Sequence, residues 1–467
     1  MLDSGLMSAE DTIAAISTAP GLGAISVVRI SGPNACQIVE RLFIPSRGKD
    51  GQTRLKTHTA THGYLQHHVS KERLDEVVVT AFLGPNSYTG EDLVEISCHG
   101  SPVITRRVLA LCIELGARLA NPGEFTQRAF LSGRIDLTQA EAVLDLIQAK
   151  TSRQSRSALS ALSGDLGRQI KDVRQRLMQI LTAVVAGIDF PEEVGDTPEQ
   201  DIENVVSESI DRLQKLTDTA LSGRFLREGL RLAIVGRPNA GKSSLLNQLL
   251  RFERAIVSEI PGTTRDSLEE PLDIEGIPVI LVDTAGIRHT ADTVELIGIE
   301  RTKRAVEDSH LVLLVTDITQ GWGQEEESIV ELLEERTWIL LSNKVDLVDA
   351  KEGHIRMGRS ASPVAKLLIS AKTGSGIAEL YSTIERWAVG GKDSRDESAS
   401  LNDRQAALCQ RALKGLNLIR GTLSQKMPQD CLASDLKMTI DLLSEICGEM
   451  VSEEVIREVF ANFCIGK

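Results

Sequence analysis

The sequence predicts an α/β domain inserted into an all-α domain, with an α+β domain before both. Residues 1–135 mix short strands with turns rich in glycine and proline, and the texture becomes helical from Leu137. From Leu230 short apolar runs alternate with helical stretches, a rhythm typical of a parallel sheet with helices on both faces. Near Gly390 the segment VGGKDSRDESAS predicts a linker, and the chain is helical after it. Helical segments on both sides of one α/β unit indicate an insertion, which is tolerated where the inserted unit's termini lie close together.

The domain boundaries follow from these changes of texture. We expect four segments in order: an N-terminal domain over residues 1–135, the first part of the helical domain over 136–228, the α/β domain over 229–390, and the second part of the helical domain over 391–467. Apolar residues from Leu159 to Val184 recur every three or four positions, so they predict one long packed helix in the first helical part.

Composition bounds the class of protein. Hydrophobic residues are 42% and charged residues 25% of the 467 residues, as in ordinary globular proteins, and no run approaches the ~20 apolar residues of a membrane span. The seven cysteines include no Cys-x-x-Cys pair, so a disulfide framework is not expected and a reducing cytoplasm fits. The net charge of −14 argues against bulk nonspecific nucleic-acid binding but leaves room for one basic face that binds RNA. We expect a cytoplasmic protein with no membrane segment.

The segment GRPNAGKSS begins at Gly236, follows a predicted strand and opens a predicted helix. It matches the pattern G-x-x-x-x-G-K-[ST], in which successive backbone N–H groups and a helix N-terminus bind phosphate oxygens. Lys242 is expected to reach the β- and γ-phosphates, and the hydroxyl of Ser243 to bind Mg²⁺. The segment therefore predicts that the α/β domain is a P-loop nucleotide-binding domain.

Three further segments select the nucleotide. DTAG begins at Asp283, where a carboxylate suits the water shell of Mg²⁺, and the N–H of Gly286 suits the γ-phosphate. In NKVD, Asp346 would accept the ring and exocyclic N–H groups of guanine, whereas adenine would leave the carboxylate unpaired, a mismatch worth roughly 10⁴-fold or more. SAK, residues 370–372, would place a backbone N–H on the guanine oxygen. Together these segments predict GTP rather than ATP.

A switch threonine and a water-orienting residue complete the expected site. GTTRD from Gly262 lies between the P-loop and Asp283, and Thr264 is expected to close on Mg²⁺. Ile287 stands where Ras-like enzymes place the glutamine that orients water, so another residue must orient the water or hydrolysis must be slow. Glu295 is a candidate, although on its own it also fits a solvated glutamate on a helix.

The chain resembles, over essentially its whole length, the family of bacterial tRNA modification GTPases called MnmE or TrmE. The segments of this sequence that carry the resemblance are GRPNAGKSSLLN, GTTRD, DTAGIR, VELIGIER, DTIAAISTAPGLGAISVVRISG, PNSYTGEDLVEISCHG, NPGEFTQRAFLSGRIDLTQAEAVLDLI and the terminal CIGK. The resemblance implies a P-loop GTPase domain inserted into a helical domain and preceded by a folate-binding α+β domain.

For the GTPase domain, the resemblance implies that K⁺ takes part in hydrolysis. The residues implied to bind K⁺ are Asn239, Ser258, Ile260 and Thr263. The cation would place positive charge against the charge that develops on the transferred phosphoryl group, and Glu295 would orient the attacking water. Two such domains of a dimer would meet across the nucleotides. The expected nucleotide contacts are Asn239, Ala240, Gly241, Lys242, Ser243, Ser244, Ser258, Glu259, Ile260, Pro261, Gly262, Thr263, Thr264, Asp283, Thr284, Ala285, Gly286, Asn343, Lys344, Asp346, Ser370, Ala371 and Lys372, with Mg²⁺ on Ser243 and Thr264.

For the N-terminal domain, the resemblance implies a constitutive homodimer and a site for 5-formyl- or methylene-tetrahydrofolate. The positions that fall on the family's folate contacts are Arg29, Glu95, Arg134 and Lys467. A carboxylate suits the N–H groups of the pterin, and cations suit the anionic tail. The family pattern has lysine at Arg134 and glycine at Ser101, so two positions depart from it. Arg29 and Glu95 also fit an ordinary surface ion pair.

The segment FCIGK, residues 463–467, follows apolar residues at roughly helical spacing. A prenylation signal does not fit, because the segment ends in glycine and lysine and no polybasic stretch or second lipidation site supports it. We expect the segment to be docked, with Cys464 and Lys467 reaching the folate pocket of the other subunit in the dimer. Cys464 is expected to act as a nucleophile or proton donor, with a packed small hydrophobic side chain as the alternative.

The function that the resemblance implies is modification of carbon 5 of the wobble uridine of certain tRNAs. An FAD-dependent partner protein of the MnmG or GidA type would join it in a heterotetramer, the folate would supply one carbon, and GTP hydrolysis would drive conformational cycling. Two alternatives stay open. A ribosome-assembly GTPase would carry an RNA-binding module such as a KH domain, and none is evident; a folate-dependent transferase would use its GTPase domain only for regulation. The cations between Thr151 and Arg176 could face tRNA or the partner, or could belong to a solvated helix face.

Overall fold

The structure, a computed structural model, describes residues 11–46, 54–193, 195, 197–218, 220–252, 272–282, 302–334, 336–348, 362–390 and 400–467. The chain divides into two compact units: one comprises Met1–Leu144, Leu162–Glu199 and Gly421–Lys467, and the other comprises Asp145–Ala161 and Gln200–Arg420. The predicted fold class is confirmed: an α+β domain comes first, and an α/β P-loop domain is inserted in sequence between helical segments.

The first unit is built on a seven-stranded sheet of described residues with the strand order β3-β4-β5-β6-β2-β1-β7. Its elements are β1 (Ile13–Ile16), β2 (Ile25–Ser31), α1 (Ala35–Leu42), β3 (Phe43–Pro45), β4 (Thr59–Gln66), β5 (Arg73–Phe82), β6 (Leu93–His99), α2 (Pro102–Glu114) and β7 (Arg118–Leu119). Burial alternates along β5, where Val77, Val79 and Ala81 are buried and the residues between them are more exposed. That alternation packs one face of the sheet into a core shared with α1 and α2.

Helices follow the sheet. They are α3 (Glu124–Leu131), α4 (Leu137–Gln148), α5 (Ser152–Leu162), α6 (Asp165–Asp189), α7 (Glu199–Thr217) and α8 (Ala220–Glu228). The prediction of one long helix from Leu159 to Val184 is wrong, because α5 ends at Leu162 and α6 begins at Asp165. Gly164 between them has a φ of +80°, a left-handed conformation that ends a helix and that glycine adopts without steric cost.

The second unit contains a six-stranded sheet of described residues with the order β13-β12-β11-β8-β10-β9. Its elements are β8 (Leu230–Val235), α9 (Lys242–Phe252), β9 (Leu272–Ile274), β10 (Ile277–Val282), β11 (Leu311–Asp317), α10 (Gln324–Glu331), β12 (Trp338–Asn343), β13 (Ala365–Leu368) and α11 (Ile377–Ala388). Among the strand pairs that the structure describes in this sheet, only β9–β10 is antiparallel. Every residue of β11 and β12 is buried, as in a sheet covered on both faces. The carboxyl ends of β8, β11 and β12 meet at one edge, where such sheets bind ligands.

The chain ends in α12 (Asp403–Ser424), α13 (Gln429–Cys447) and α14 (Glu453–Ala461). Within the first unit, α13 packs along α6. Ile456 and Phe460 of α14 join Phe463 in a buried cluster with Leu137 and Ala140 of α4. The apolar spacing before FCIGK therefore serves to anchor a helix, as predicted. Among the described helices, none has both the length and the apolar character that crossing a bilayer requires.

Candidate functional site

The P-loop connects β8 to α9 at the sheet edge. Gly236 has a φ of +147° and Gly241 a φ of +100°. A Cβ on Gly236 would clash with the carbonyl of Val315, and a Cβ on Gly241 would clash with the side chain of Asn343. Asn239 between them also has a positive φ, of 63°. The loop is therefore wound tightly against its neighbours, and its glycines are required by close contact as well as by backbone conformation.

Lys242, the first residue of α9, closes the loop on itself. Its Nζ donates hydrogen bonds of 2.7 Å to the carbonyl of Gly236 and 2.7 Å to that of Arg237. Burial lowers the pKa of this lysine. The ammonium is thus held inside the turn whose backbone N–H groups are expected to bind phosphate.

Asn343 joins three segments of the candidate site. Its Nδ2 donates to the carbonyl of Ala240 in the P-loop at 2.8 Å, and its Oδ1 accepts the N–H of Ala371 at 2.9 Å. The side chain is buried. The segments GRPNAGKSS, NKVD and SAK, which lie far apart in sequence, are therefore brought together as the sequence predicted, with Asn343 as the link.

Asp346, the residue expected to read the base, is exposed, and its Oδ1 accepts the hydroxyl of Ser370 at 2.6 Å. Lys344 before it has a φ of +68° and donates to Oδ2 of Asp317 at 2.6 Å. Burial would raise the pKa of Asp317, but hydrogen bonds from Lys344 and Thr319 outweigh it and lower that pKa. None of the sequence motifs includes Asp317, and the signal that points to it is its place at the end of β11, beside the end of β12.

Part of the expected nucleotide site lies outside the described residues. These positions are Ser258, Glu259, Ile260, Pro261, Gly262, Thr263, Thr264, Asp283, Thr284, Ala285, Gly286 and Glu295. Of the residues expected to bind cations, the structure places Asn239 in the P-loop and Ser243 in the first turn of α9. The assignments of K⁺, Mg²⁺ and the attacking water stay predictions.

A second candidate site lies on the first unit. Nε and Nη2 of Arg29 donate to Oε1 of Glu95 at 3.0 and 2.7 Å, and the Arg29 guanidinium lies 5.4 Å from the ring centroid of Tyr88 and 5.6 Å from that of Phe125. The side chains of Arg29 and Glu95 are 14% and 27% exposed, so the pair is partly buried, which argues against an ordinary surface ion pair. Arg134 also lies 5.4 Å from the Tyr88 ring and donates to the Tyr88 carbonyl at 2.6 Å.

Lys467 reaches this group from the other end of the sequence. Burial, and then the positive charge of Arg29, lower the pKa of Lys467, while the charge of Glu95 opposes them. The four residues expected to contact folate therefore lie together in the structure. Among the described residues, Nη1 of Arg29 is buried without a hydrogen-bond partner, which leaves one donor for an acceptor on a ligand.

The end of the chain is held along the segment before α3. Ile465 forms an antiparallel bridge with Pro122, the N–H of Gly123 donates to the Cys464 carbonyl at 3.4 Å, and the N–H of Phe125 donates to that of Lys467 at 3.2 Å. The expectation that the segment is docked is confirmed. Lys467 lies beside Arg29 and Glu95 of its own chain, and the expectation that the segment reaches the other subunit of a dimer stays a prediction.

Gly466 fixes this docking. The hydroxyl of Ser17 donates to its carbonyl at 2.9 Å, its φ is +97°, and a Cβ there would clash with the carbonyl of Ile16. Any other residue would be strained and would push the segment off β1. Cys464 is exposed, so the packed-hydrophobe alternative is not supported by its burial.

The cations between Thr151 and Arg176 do not form a free basic face. Five are ion-paired: Arg153 with Glu385, Arg168 with Asp165, Lys171 with Asp136, Arg174 with Glu449 and Arg176 with Asp172. This pairing favours the structural alternative over a surface for tRNA.

The described residues also bring three possible metal ligands together, namely His67, His68 and Glu114. Nδ1 of His67 accepts the backbone N–H groups of Val69 and Ser70 at 3.2 and 3.1 Å. The proton of the neutral ring is therefore on Nε2, which faces Glu114 at 4.0 Å. Binding a metal at Nε2 would move the ring proton to Nδ1 and break both of these hydrogen bonds, so we assign no metal site to this group.

Comparison with known proteins gives a consistent result. A family model described as the MnmE helical domain matches residues 137–464, and one described as the N-terminus of the GTP-binding protein TrmE matches residues 12–134. The chain is similar to the tRNA modification GTPase MnmE of Acetivibrio thermocellus, with 43% identity over 99% of this chain and 100% of the relative. It is similar to that of Moorella thermoacetica, with 44% identity over 98% of this chain and 100% of the relative. The FeoB G domain of Methanococcus jannaschii is 27% identical, covering 34% of this chain and 98% of that one, at a TM-score of 0.24 that adds nothing to the comparison.

Proposed function

The chain belongs to the MnmE family of tRNA modification GTPases, and from this premise we propose that it modifies carbon 5 of the wobble uridine of certain tRNAs. The protein is a GTP hydrolase. The observation that supports this modification is that one chain holds two sites. One is the guanine-nucleotide site, and the other is a group of cations, one carboxylate and two aromatic rings that includes Lys467.

We assign tetrahydrofolate to this second group. The unpartnered Nη1 of Arg29 fits an acceptor on the ligand, and the carboxylate of Glu95 fits the N–H groups of a pterin. Tyr88 and Phe125 offer ring faces, and Arg134 and Lys467 offer positive charge to an anionic tail. When bound, the folate would supply a one-carbon unit. The chain's own part is to bind and orient that unit beside the segment that carries Cys464.

The chemical step at the nucleotide is proposed to need K⁺ on Asn239, Mg²⁺ on Ser243 and Thr264, and a water oriented by Glu295. We expect GTP turnover to be stimulated far more by K⁺ than by Na⁺, because K⁺ on Asn239 would place positive charge against the transferred phosphoryl group, where other GTPases receive an arginine finger. In the same assay, Glu295→Ala is expected to lower turnover about 10²-fold with GTP affinity nearly intact. Equal turnover in the two salts would remove the potassium mechanism.

The proposed assembly is a homodimer that joins an FAD-dependent partner of the MnmG or GidA type in a heterotetramer, binds tRNA, and acts in the cytoplasm. Light scattering of the chain alone and after mixing with such a partner tests this assembly. A monomer at all concentrations, or no complex after mixing, would contradict it.

The function as a whole is tested in cells that lack the protein. We expect modified wobble uridine to be absent from their tRNA, to return with the wild-type chain, and to stay absent with Lys242→Ala, which removes a phosphate-binding group. Mass spectrometry of isolated tRNA measures the modification. Unchanged modification in the deletion strain together with incomplete ribosomal subunits would favour the ribosome-assembly alternative. Restoration by Lys242→Ala would favour a folate-dependent transferase whose GTPase domain only regulates.

A further inference from the structure

The second residue of the P-loop, Arg237, is ion-paired with a carboxylate that none of the preceding motifs includes. Nη2 of Arg237 contacts Oε2 of Glu326 in α10, and the Glu326 side chain is only 3% exposed. The same oxygen accepts the N–H of Gly323 at 2.9 Å, at the N-terminus of α10. A carboxylate is tolerated at this depth only when donors surround it, and Arg237 and Gly323 provide them.

The packing around this pair leaves Arg237 little freedom. A Cβ on Gly323 would clash with Nη2 of Arg237, so the guanidinium occupies the space that a side chain would need. Glu325, the neighbour of Glu326, is 66% exposed and its Oε2 lies 3.5 Å from Nε of Arg237. That Nε has no hydrogen-bond partner among the described residues. The guanidinium is therefore fixed by Glu326, and Glu325 contributes at most a solvent-screened charge.

The backbone of Arg237 lies inside the phosphate-binding turn. Its carbonyl accepts Nζ of Lys242 at 2.7 Å and the N–H of Ala240 at 3.3 Å. The side chain held by Glu326 and the carbonyl that accepts the P-loop lysine therefore belong to one residue, Arg237. Glu326, Arg237 and Lys242 form one continuous chain of contacts from α10 to the nucleotide site.

We propose that Glu326 is a positioning residue of the nucleotide site, which holds the P-loop in its binding conformation through Arg237. The inference rests on the proposed function only in taking a guanine nucleotide as the ligand of the P-loop. The backbone N–H groups of this turn are expected to bind the α- and β-phosphates, which GDP and GTP share, so the pair is expected to strengthen the binding of both nucleotides equally. Its loss changes affinity and leaves the rate of the chemical step unchanged.

The test is Glu326→Gln in the full chain. Glutamine still offers an oxygen to the N–H of Gly323, so the N-terminus of α10 keeps its acceptor, while the charge toward Arg237 is lost. We expect the Kd for GDP and for GTP to rise by about 10-fold, the scale of one charge-assisted hydrogen bond, with kcat at saturating GTP unchanged. Titration with a fluorescent nucleotide and steady-state GTPase kinetics measure these quantities. Unchanged Kd values, or a fall in kcat alone, would overturn the proposal.

Two further variants separate positioning from general stability. Glu325→Gln is the matched control and is expected to leave both Kd values unchanged. Arg237→Met is expected to raise them, and adding Glu326→Gln to it is expected to have no further effect, since the carboxylate acts through Arg237. Additive effects in the double variant would overturn the inference. The wild-type chain is measured in parallel: failure of the wild type to bind GTP would overturn the proposed function as well, whereas wild-type binding with an unaffected Glu326→Gln overturns this inference alone.

Discussion

Asp346→Asn is expected to shift the nucleotide preference from GTP toward xanthosine triphosphate by roughly 10⁴-fold, the scale on which an unpaired polar group in a binding site discriminates. Asp346 is exposed at the sheet edge, and the hydroxyl of Ser370 donates to its Oδ1 at 2.6 Å. Asparagine keeps an oxygen for that hydroxyl, so the local structure is preserved. Xanthine carries a carbonyl in place of the amino group of guanine, and the amide nitrogen of asparagine can donate to that carbonyl. When GTP binds the variant, the amino group of guanine no longer finds an acceptor.

Competition between the two nucleotides in a binding assay, and turnover of each, measure the shift. Asp273→Asn is a suitable control, because this carboxylate accepts the N–H of Gly276 in the β9–β10 turn and asparagine keeps that acceptor. It is expected to leave the preference for GTP unchanged. If Asp346→Asn still prefers GTP, another residue reads the base.

Cys464→Ser is expected to lower the rate of tRNA modification about 10²-fold or more, while K⁺-stimulated GTP hydrolysis stays intact. Serine is nearly the same size as cysteine, and the contact that holds position 464 is a bond from the N–H of Gly123 to the backbone carbonyl, which does not depend on the side chain. The variant therefore removes the thiol and keeps the docking. Normal modification by Cys464→Ser would reduce the cysteine to a structural role.

Gly466→Ala and deletion of the last four residues test the docking separately from the thiol. The alanine Cβ would clash with the carbonyl of Ile16 and would occupy a backbone conformation that disfavours it, so the segment is expected to leave β1 with Lys467. Both variants are expected to fold, hydrolyse GTP and fail in modification, and both are expected to bind folate more weakly. Loss of GTPase activity in either would instead make the segment a structural support. Folate titration and mass spectrometry of tRNA measure the outcomes.

In the nucleotide site, local sequence patterns predict each loop, and the tertiary structure decides how the loops contact one another. GRPNAGKSS is one contiguous turn between a strand and a helix, so its conformation and its ligand follow from residues within one short stretch. The β8–α9 connection forms where the pattern predicts it. NKVD and SAK could also be assigned from their position after predicted strands. Their convergence through Asn343, which bonds to residues 103 and 28 positions away, depends on strand order.

The helical segments show what local patterns do not reveal, namely where a helix ends and which residues pair across the fold. Apolar spacing from Leu159 to Val184 is continuous, so it gives no sign of the break at Gly164. A single glycine inside a helical pattern can be tolerated or can end the helix, and its φ decides which. The same holds for the cations between Thr151 and Arg176, whose carboxylate partners lie up to 275 positions away in sequence and are not visible in a charge count.

The sequence by itself determined the order of the domains, the phosphate-binding turn, the choice of guanine and the apolar anchoring of residues 456–463. Each of these depends on neighbours in the chain, through spacing, turn chemistry or a short motif. Only the tertiary structure decided that Lys467 lies beside Arg29 and Glu95 of its own chain, and that a buried Glu326 holds the P-loop. These pairings join residues whose separation in sequence carries no information about distance, and they are fixed by close packing around Gly466 and Gly323, where a side chain would not fit.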